Sequence, residues 1–418
     1  MDSNGNNSVE DVVRSLDAFF SSSSSSPPSS APRPVPLDIA DGLTLLSPPT
    51  AAGATLNWGI MGAGRVSHDF VQALKALPQA RVVAVGASTL PKAEAFASTH
   101  KIPGAHGSYE ALARDPEVQI VYVGTLHAFH KEHALLALEA GKHVLVEKPV
   151  ACRAEDGVVM VGRAREKKLL FLEGMWTRFF PVVEMARYLI SSGAIGRVVA
   201  LHADFGFNSS DSEGYPDSPF FNHVLGGGGL LFVGVYPISM APLCFGSRMP
   251  TKIAAAGVVD APTGVDLSGG VILEYEGGRE GGGLAVLTYN LMGETPEETT
   301  IVGTEGRIKI LGPAHCPTQM VLYRKHKGRR NVQAFDFEYP LPAPLPAVEA
   351  TGGFNYPNSQ GFMYEAAAAQ RCVLAGLGET PQYTMEETLI VAKIMDEVRR
   401  QLGVRAVGGG GEDGKGTK

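Results

Sequence analysis

LNWGIMGAGRVSHDF, residues 56–70, begins as one kind of secondary structure and ends as another. Leu56–Met61 is an apolar run of strand length. From Val66 onward the apolar residues recur at helical spacing, through VSHDFVQALKAL. Between them stands Gly62-Ala63-Gly64-Arg65-Val66-Ser67. Gly62 permits a tight turn, and Gly64 lets backbone N–H groups come close to a bound group. Ser67 replaces a third glycine and is still small enough for close packing of helix on strand. A glycine turn in this context, strand before and helix after, sets a pyrophosphate on the positive end of a helix.

Outward from that turn, strand-like and helix-like runs alternate as far as Trp176. ARVVAVGAS, VQIVYVGT, HVLVEKP and LLFLEGMW read as strands. KAEAFASTH, KEHALLALEAG and AEDGVVMVGRAREKK read as helices between them. This alternation predicts a parallel sheet covered on both faces, a Rossmann dinucleotide-binding domain over residues 56–176. Beyond Trp176 the pattern changes. A helix, FPVVEMARYLISSG, leads to GRVVALHADFGF and a glycine-rich helix start, and consecutive strands follow: KIAAAGVV, GGVILEYEGG, GLAVLTYNL, ETTIVGTEGRIKIL, MVLYRKH and VQAFDFEY. Strands in succession predict a mainly antiparallel sheet, and helices around 360–376 and 384–402 close an α+β domain over residues 177–404. Two domains suit 418 residues, because one core stops growing at roughly 250–300.

The ends read differently. Residues 1–55 carry the Ser/Pro tract FFSSSSSSPPSSAPRPVP, which cannot bury enough apolar surface to order itself. A tail follows from about residue 405. The leader has no apolar core of a secretory signal, and six acids against two arginines in residues 1–56 argue against a transit peptide. A cytoplasmic location is the expectation, with organelle import left open. Cys152, Cys244, Cys316 and Cys372 fit neither a disulfide framework nor a zinc spacing and read as reduced thiols. No apolar run approaches the eighteen or so residues of a membrane span, so none is expected. A net charge of −7 gives no electrostatic reason to expect nucleic acid or an anionic membrane as partner.

The chemistry is sought where strands of an open sheet end. Gly86-Ala87-Ser88-Thr89 ends the second run without the Asp or Glu that would hold a ribose 2′-hydroxyl. Two hydroxyls could donate to a 2′-phosphate, and no arginine is there to grip it. The reading favours NADP and keeps NAD open. Thr125-Leu126-His127-Ala128-Phe129-His130 follows another strand, with His133 beyond. His127 and His130 share a face if a helix starts there; they also suit the polar surface of a helix start, and no ligand spacing for a metal accompanies them. In VLVEKPV, Val144–Val146 bury a strand, and Glu147 and Lys148 emerge at its carboxyl edge. Pro149 stops the ladder there. A lysine in a partly dry cleft has its pKa lowered from about 10.4 toward 7–8, the range of a proton shuttle. The bland alternative is an ion pair closing a strand. GMWTRFFP carries Trp176, and LGGGGLLFVGVYPISM carries Tyr236, whose hydroxyl needs a partner or serves core packing.

Taken together, GIMGAGRVSHDF, GTLHAFHKEHALLALEAGKHVLVEKP, EGMWTRFFP, GGGGLLFVGVYP and GTEGRI resemble the glucose–fructose oxidoreductase/inositol dehydrogenase/MocA (Gfo/Idh/MocA) family, over about Leu56 to Leu402. Within it the likeness is to the branch of dimeric NADP-dependent dehydrogenases of trans-dihydrodiols and D-xylose. The resemblance implies hydride transfer between nicotinamide and a carbon bearing a hydroxyl, in a cyclic diol or an aldose. It implies that Lys148 and Tyr236 are catalytic, and that His127, His130, Trp176, Phe205 and Tyr236 bind substrate. It implies cofactor contacts from Gly62, Gly64, Arg65, Val66, Ser88, Thr125, Leu126, His127, Glu147 and Lys148, and a homodimer through an open-faced second sheet.

Three positions depart from that pattern. Phe232 stands where the family has an aspartate on the face of Tyr236, Ser88 where an arginine would meet a 2′-phosphate, and Leu126 in place of a proline. Two other functions remain open on this fold: a non-catalytic NAD(P)-binding sensor or scaffold, and a dehydrogenase of an inositol or another sugar. A sensor needs only the glycine loop, whereas this chain retains Lys148, Tyr236 and both histidines.

Overall fold

β1 (Leu56–Met61) is buried almost throughout because it lies in the middle of a sheet, between β2 (Ala80–Gly86) and β4 (Ile120–Val123), both parallel to it. β3 (Gly104–His106), β5 (His143–Glu147) and β6 (Phe171–Gly174) complete the order β3-β2-β1-β4-β5-β6. The chain reverses its direction of travel between β1 and β4, which opens a crevice at the carboxyl ends of those strands. Helices α1 (Arg65–Leu74), α2 (Leu90–His100), α3 (Tyr109–Ala113), α4 (His130–Glu139) and α5 (Ala154–Lys167) connect them. The computed structural model describes residues 55–209, 214–325 and 332–404. Apart from residue 55, both expected tails lie outside the described residues. β3 is absent from the strand-like runs because three residues, Gly-Ala-His, carry no period to read.

The second sheet has the order β14-β13-β12-β11-β7-β10-β9-β8, antiparallel throughout except for β7 (Val198–Gly206) beside β10 (Gly283–Asn290). The single expected run ETTIVGTEGRIKIL is two strands, β11 (Thr299–Gly303) and β12 (Gly306–Ile310), turning at Thr304 and Glu305. Its inner face is set by alternation. Leu273 on β9 (Asp266–Tyr275), Ala285, Leu201, Ile301, Ile308 and Leu322 on β13 (Gln319–Lys325) fall opposite one another across six strands and are all buried. Each large side chain so buried contributes roughly 1.5–3 kcal/mol. The outer face alternates with it and keeps Ile272 and Leu284 exposed. β8 (Lys252–Val259) and β14 (Val332–Glu338) are its edges.

α6 (Pro181–Ser191) leads into the second sheet, and against the inner face lies α7 (Val235–Phe245), continued backward through a π-helical turn, Leu230–Gly234. The span His223–Phe245 is long and apolar enough to cross a membrane by length and composition, contrary to the expectation from sequence; 83% of its apolar 18-residue window is buried inside the fold. Its apolarity is that of a helix enclosed by a sheet and by other helices.

The end of the chain ties the two sheets together. α8 (Phe362–Leu374) packs on α1. The buried Asp69 carboxylate on α1 accepts the backbone N–H groups of Asn355 (2.8 Å) and Tyr356 (3.0 Å). α9 (Met385–Leu402) starts with a Thr384–Glu387 capping box and runs beside α5 and α7. Its Arg399 donates to the Cys152 carbonyl at 2.7 Å. The boundary at 176/177 therefore divides the sequence more sharply than it divides the packing.

Candidate active site

The loop after β1 is shaped for an anion. Gly62 has φ +108°, and a Cβ there would come within 2.8 Å of the Gly124 carbonyl oxygen. Ser67 is fully buried and packs against Gly124, so close that a Cβ on Gly124 would meet its Oγ at 2.4 Å. That explains the serine in place of a third glycine and the glycine facing it. Gly64 is different: its φ of −92° suits any residue, and nothing lies within 4 Å of where its Cβ would be. α1 has no side-chain cap and no acidic residue in its first turn. Its first N–H groups and its positive end are left to the crevice.

That crevice is one continuous cavity of about 1030 Å³. Of the expected cofactor residues, Gly62, Gly64, Arg65, Val66, Ser88, Thr125, Leu126, His127, Glu147 and Lys148 all line it. Of the expected substrate residues, His127, Trp176, Phe205 and Tyr236 line it. The volume is at the upper end for small-molecule sites, as a dinucleotide plus a small substrate requires.

Lys148 leaves β5 at the cavity wall. The residue keeps partial exposure to the cleft, while crowding of its ammonium by protein lowers its pKa to about 8, against the opposing pull of Glu147 and Glu173. Its Nζ donates to the Phe232 carbonyl at 2.8 Å and lies 4.7 Å from the centre of the Tyr236 ring. The acceptor follows from local sequence. Phe232 sits in the π-helical turn, and Pro237 has no N–H with which to close the next turn, so carbonyls there are free for other donors. A backbone oxygen thus partners the lysine on the segment where the resemblance places a carboxylate. The Phe232 ring itself stacks on Phe220 at 3.9 Å and leans on His127 at 4.5 Å.

Tyr236 is buried, and its hydroxyl accepts a hydrogen bond from Trp176 Nε1 at 3.2 Å. Burial and the Glu147 charge push its pKa well above the usual phenol range, so it stays protonated. Trp176 is held by stacking on Phe362 at 4.4 Å. Phe205 lies 5.4 Å from the Tyr236 ring. Glu147 is fixed behind Lys148: Tyr122 donates to Oε1 at 2.6 Å, and the Lys148 N–H to Oε2 at 3.2 Å.

His130 is the expected substrate residue that does not reach the cavity. A short 3-10 turn, His127–Phe129, precedes α4 and rotates His130 inward, where it is fully buried. Its ring nitrogens meet the carbonyl oxygens of Pro149 (2.8 Å) and Thr125 (3.0 Å), so it clamps the ends of β4 and β5 instead. His127 does face the cavity, its Nδ1 3.2 Å from the Gly226 oxygen; burial lowers its pKa well below the usual imidazole value. His133, three residues beyond His130, also lines the cavity, with Nδ1 2.9 Å from Thr125 Oγ1. The sequence reading also missed Glu294, Glu297 and His315, which line the cavity from loops of the second sheet.

Behind Glu147 lies a second buried carboxyl, Glu365 on α8, fully enclosed and with no hydrogen-bond partner for either oxygen among the described residues. Burial, then the nearby Glu147, raises its pKa well above the usual value. From about pH 4.5 upward the unfolded chain ionises while the native carboxyl keeps its proton, so this group lowers stability as pH rises toward the native value. Glu365→Gln is therefore expected to raise the melting temperature, and to raise it more at pH 8 than at pH 5. Melting curves at the two pH values check this; an equal or opposite shift would contradict it.

Comparison with known proteins places this geometry. The family model described as "Oxidoreductase family, NAD-binding Rossmann fold" matches residues 56–175, and that described as "GFO/IDH/MocA C-terminal domain" matches residues 183–309. The chain belongs to the Gfo/Idh/MocA family. It is an oxidoreductase with a nicotinamide-dinucleotide domain. A trans-1,2-dihydrobenzene-1,2-diol dehydrogenase of Danio rerio is 43% identical to this family member over 355 residues, 84% of this chain and 97% of the relative. The enzyme of that name from Homo sapiens is 37% identical over 351 residues, 84% and 97% of the two chains. Among solved structures, a 3-ketoreductase from Actinomadura kijaniata in complex with NADP and TDP-benzene superposes with a TM-score of 0.68 at 25% identity, covering 83% of this chain and 98% of that one. A levoglucosan dehydrogenase in complex with NADH and levoglucosan gives 0.72 at 20% identity, covering 84% and 97%, which is a likeness of fold.

Proposed function

We propose that this family member is an NADP-dependent dehydrogenase that reversibly oxidises a hydroxyl-bearing carbon in a cyclic diol or an aldose, as in a trans-dihydrodiol or D-xylose. The observation that carries the reading is Lys148, a lysine with a lowered pKa that shares one cavity wall with Tyr236, at the end of a dinucleotide cradle. Gly64, with open space beside it at an uncapped helix start, fits the pyrophosphate of such a cofactor. Nicotinamide, when bound, supplies the hydride acceptor. Lys148 as the neutral amine takes the hydroxyl proton. Tyr236, kept protonated, donates a hydrogen bond to the substrate oxygen, and Trp176 holds the phenol in place. The aromatic wall of Trp176, Phe205 and Phe232 excludes water. General-base help of this kind is worth roughly 10²–10⁴ in rate.

NADP is favoured over NAD because the end of β2 offers Ser88 and Thr89 and no carboxylate to repel a 2′-phosphate. A homodimer through the outer face of the second sheet is supported by the exposed Ile272, opposite Val286, and by Leu284 one row away. The four cysteines, all free and buried, suit the reducing cytoplasm.

Two measurements test the reading. Appearance of reduced nicotinamide absorbance is followed with NADP or NAD over a panel of aldoses, inositols and trans-diols. Turnover with NADP and a member of that panel is expected. Tight dinucleotide binding with no turnover on any of them would point to a sensor. The pH profile is the second measurement. Oxidation requires the amine and should rise with pH through about 8. Reduction requires the ammonium and should fall over the same interval. A flat profile in both directions would remove Lys148 as the base.

A further inference from the structure

The cavity that Lys148 lines also holds a pair that the hydride-transfer chemistry does not use, His315 and Glu297. His315 stacks face to face on Phe205, ring centres 4.1 Å apart and planes 7° from parallel. Its ring centre is 5.5 Å from that of Tyr236. Its Nδ1 lies 3.4 Å from Glu297 Oε2, within ion-pair distance but without hydrogen-bond geometry, and that buried nitrogen has no hydrogen-bond partner among the described residues. Its Nε2 makes no hydrogen bond to protein among the described residues.

The backbone holds both residues in place. Glu297 is one of four described non-glycine residues with positive φ, +52°. Such a conformation is strained for a residue with a Cβ and persists where the surroundings impose it. Here the Asp204 carboxylate imposes it, accepting the N–H groups of Glu297 (2.8 Å) and Glu298 (3.1 Å). The Ala314 N–H donates to the Glu297 carbonyl at 2.8 Å, and the Thr177 hydroxyl donates to the His315 carbonyl. The pair is thus braced to β7 and to the turn that carries Trp176.

The chemistry follows from the tautomer. A carboxylate beside Nδ1 favours the proton there, which leaves the Nε2 lone pair for the cavity. Burial lowers the pKa of His315 and keeps the ring neutral, so it can accept. An acceptor in an aromatic pocket with no protein donor is costly until a ligand supplies one. Glu294 lines the same end of the cavity, while the only Lys or Arg residues among the described lining residues are Lys148 and Arg65. That end therefore favours hydroxyl donors and repels anions.

We propose that His315, braced by Glu297, is a specificity-determining residue that accepts a second substrate hydroxyl and selects neutral polyhydroxylated substrates, aldoses above all, over apolar diols and over sugar acids. This rests on reading the cavity as a dehydrogenase site. The full chain is assayed with D-xylose, trans-1,2-cyclohexanediol and D-glucuronate. His315→Phe, which keeps the ring stack, should lower kcat/KM for D-xylose by at least tenfold more than for cyclohexanediol. Glu297→Gln, which leaves the ring in place, should shift the same ratio in the same direction by a smaller factor and narrow the preference of the parent for D-xylose over D-glucuronate. Equal losses on sugar and diol, or no change in their ratio, would overturn the proposal. Sugar binding is measured separately, as quenching of NADPH fluorescence in the ternary complex. If the parent binds D-xylose and His315→Phe does not, the subsite stands even where turnover fails and the dehydrogenase reading falls. A parent that binds no sugar would overturn the subsite.

Discussion

Lys148→Met is expected to bind the nicotinamide dinucleotide with nearly unchanged affinity and to lose turnover by about 10²–10⁴-fold. The reasoning separates two sites on one cavity. The groups that would hold the pyrophosphate, Gly62, Gly64 and the start of α1, belong to the loop after β1, whereas Lys148 donates to the Phe232 carbonyl and, among the described residues, to none of them. Methionine matches the lysine stem in length and leaves the Tyr122–Glu147 hydrogen bond in place. Lys148→Arg refines the test. It keeps a cation, but a guanidinium stays protonated at all working pH values, so oxidation should remain lost and the rise through pH 8 should vanish. Stability moves the other way. The native pKa of about 8 lies below the ordinary 10.5, so between those values the unfolded chain binds a proton that the native chain does not. Stability contributed by this group therefore rises with pH across that window, and below it the native state bears the full cost of a buried ammonium. Lys148→Met should melt no lower than the parent at pH 7. Dinucleotide titration by fluorescence, steady-state rates and melting curves check the three parts; near-normal turnover would refute the assignment.

The parts of this site that were legible in the sequence are those encoded by neighbours in the chain. The run from Leu56 to Phe70 shows a strand period, a glycine turn and a helix period within fifteen residues, so the first sheet and its crevice could be read locally. Lys148, Tyr236 and Trp176 stand out by residue type at the ends or starts of elements, Phe205 only through the family resemblance, and all four line the cavity. His130 was misplaced because its direction depends on whether a 3-10 turn precedes the α-helix, a difference of phase that HAFHKEH does not display. The partner of Lys148 could not be seen at all, since it is a carbonyl freed by a π-turn and a proline rather than a side chain. His315 and Glu297 meet because the antiparallel register of β11 with β12, Thr299 opposite Ile310, sets the loop before one beside the loop after the other, and irregular loops have no period. The one local hint was the acid-rich ETPEE after Gly293, which is otherwise what a solvated turn looks like.

Gly64→Val should abolish dinucleotide binding, by at least about 100-fold in affinity, while leaving the melting temperature close to that of the parent. Glycine is usually explained by what other residues cannot do in the fold, and Gly62 has that explanation: φ +108° and a carbonyl 2.8 Å from any Cβ. Gly62→Val should therefore lose both stability and binding. Gly64 lacks it. Its backbone is extended, and the space beside it is open for 4 Å in the protein itself. A Cβ there meets nothing the chain supplies, so a branched side chain has open space to enter. What it fills is the approach to the N–H groups at the start of α1, which neither a capping side chain nor an acidic residue occupies. If those groups receive a pyrophosphate, valine blocks it by contact and keeps the negative charge from the helix end, where each such interaction is worth about 0.3–2 kcal/mol. The pair of variants thus distinguishes a glycine required by the fold from one required by a ligand. Parallel melting curves and NADPH fluorescence titrations read the difference. Normal binding by Gly64→Val would mean that no phosphate comes to this helix, and the dinucleotide reading of the crevice would fail with it.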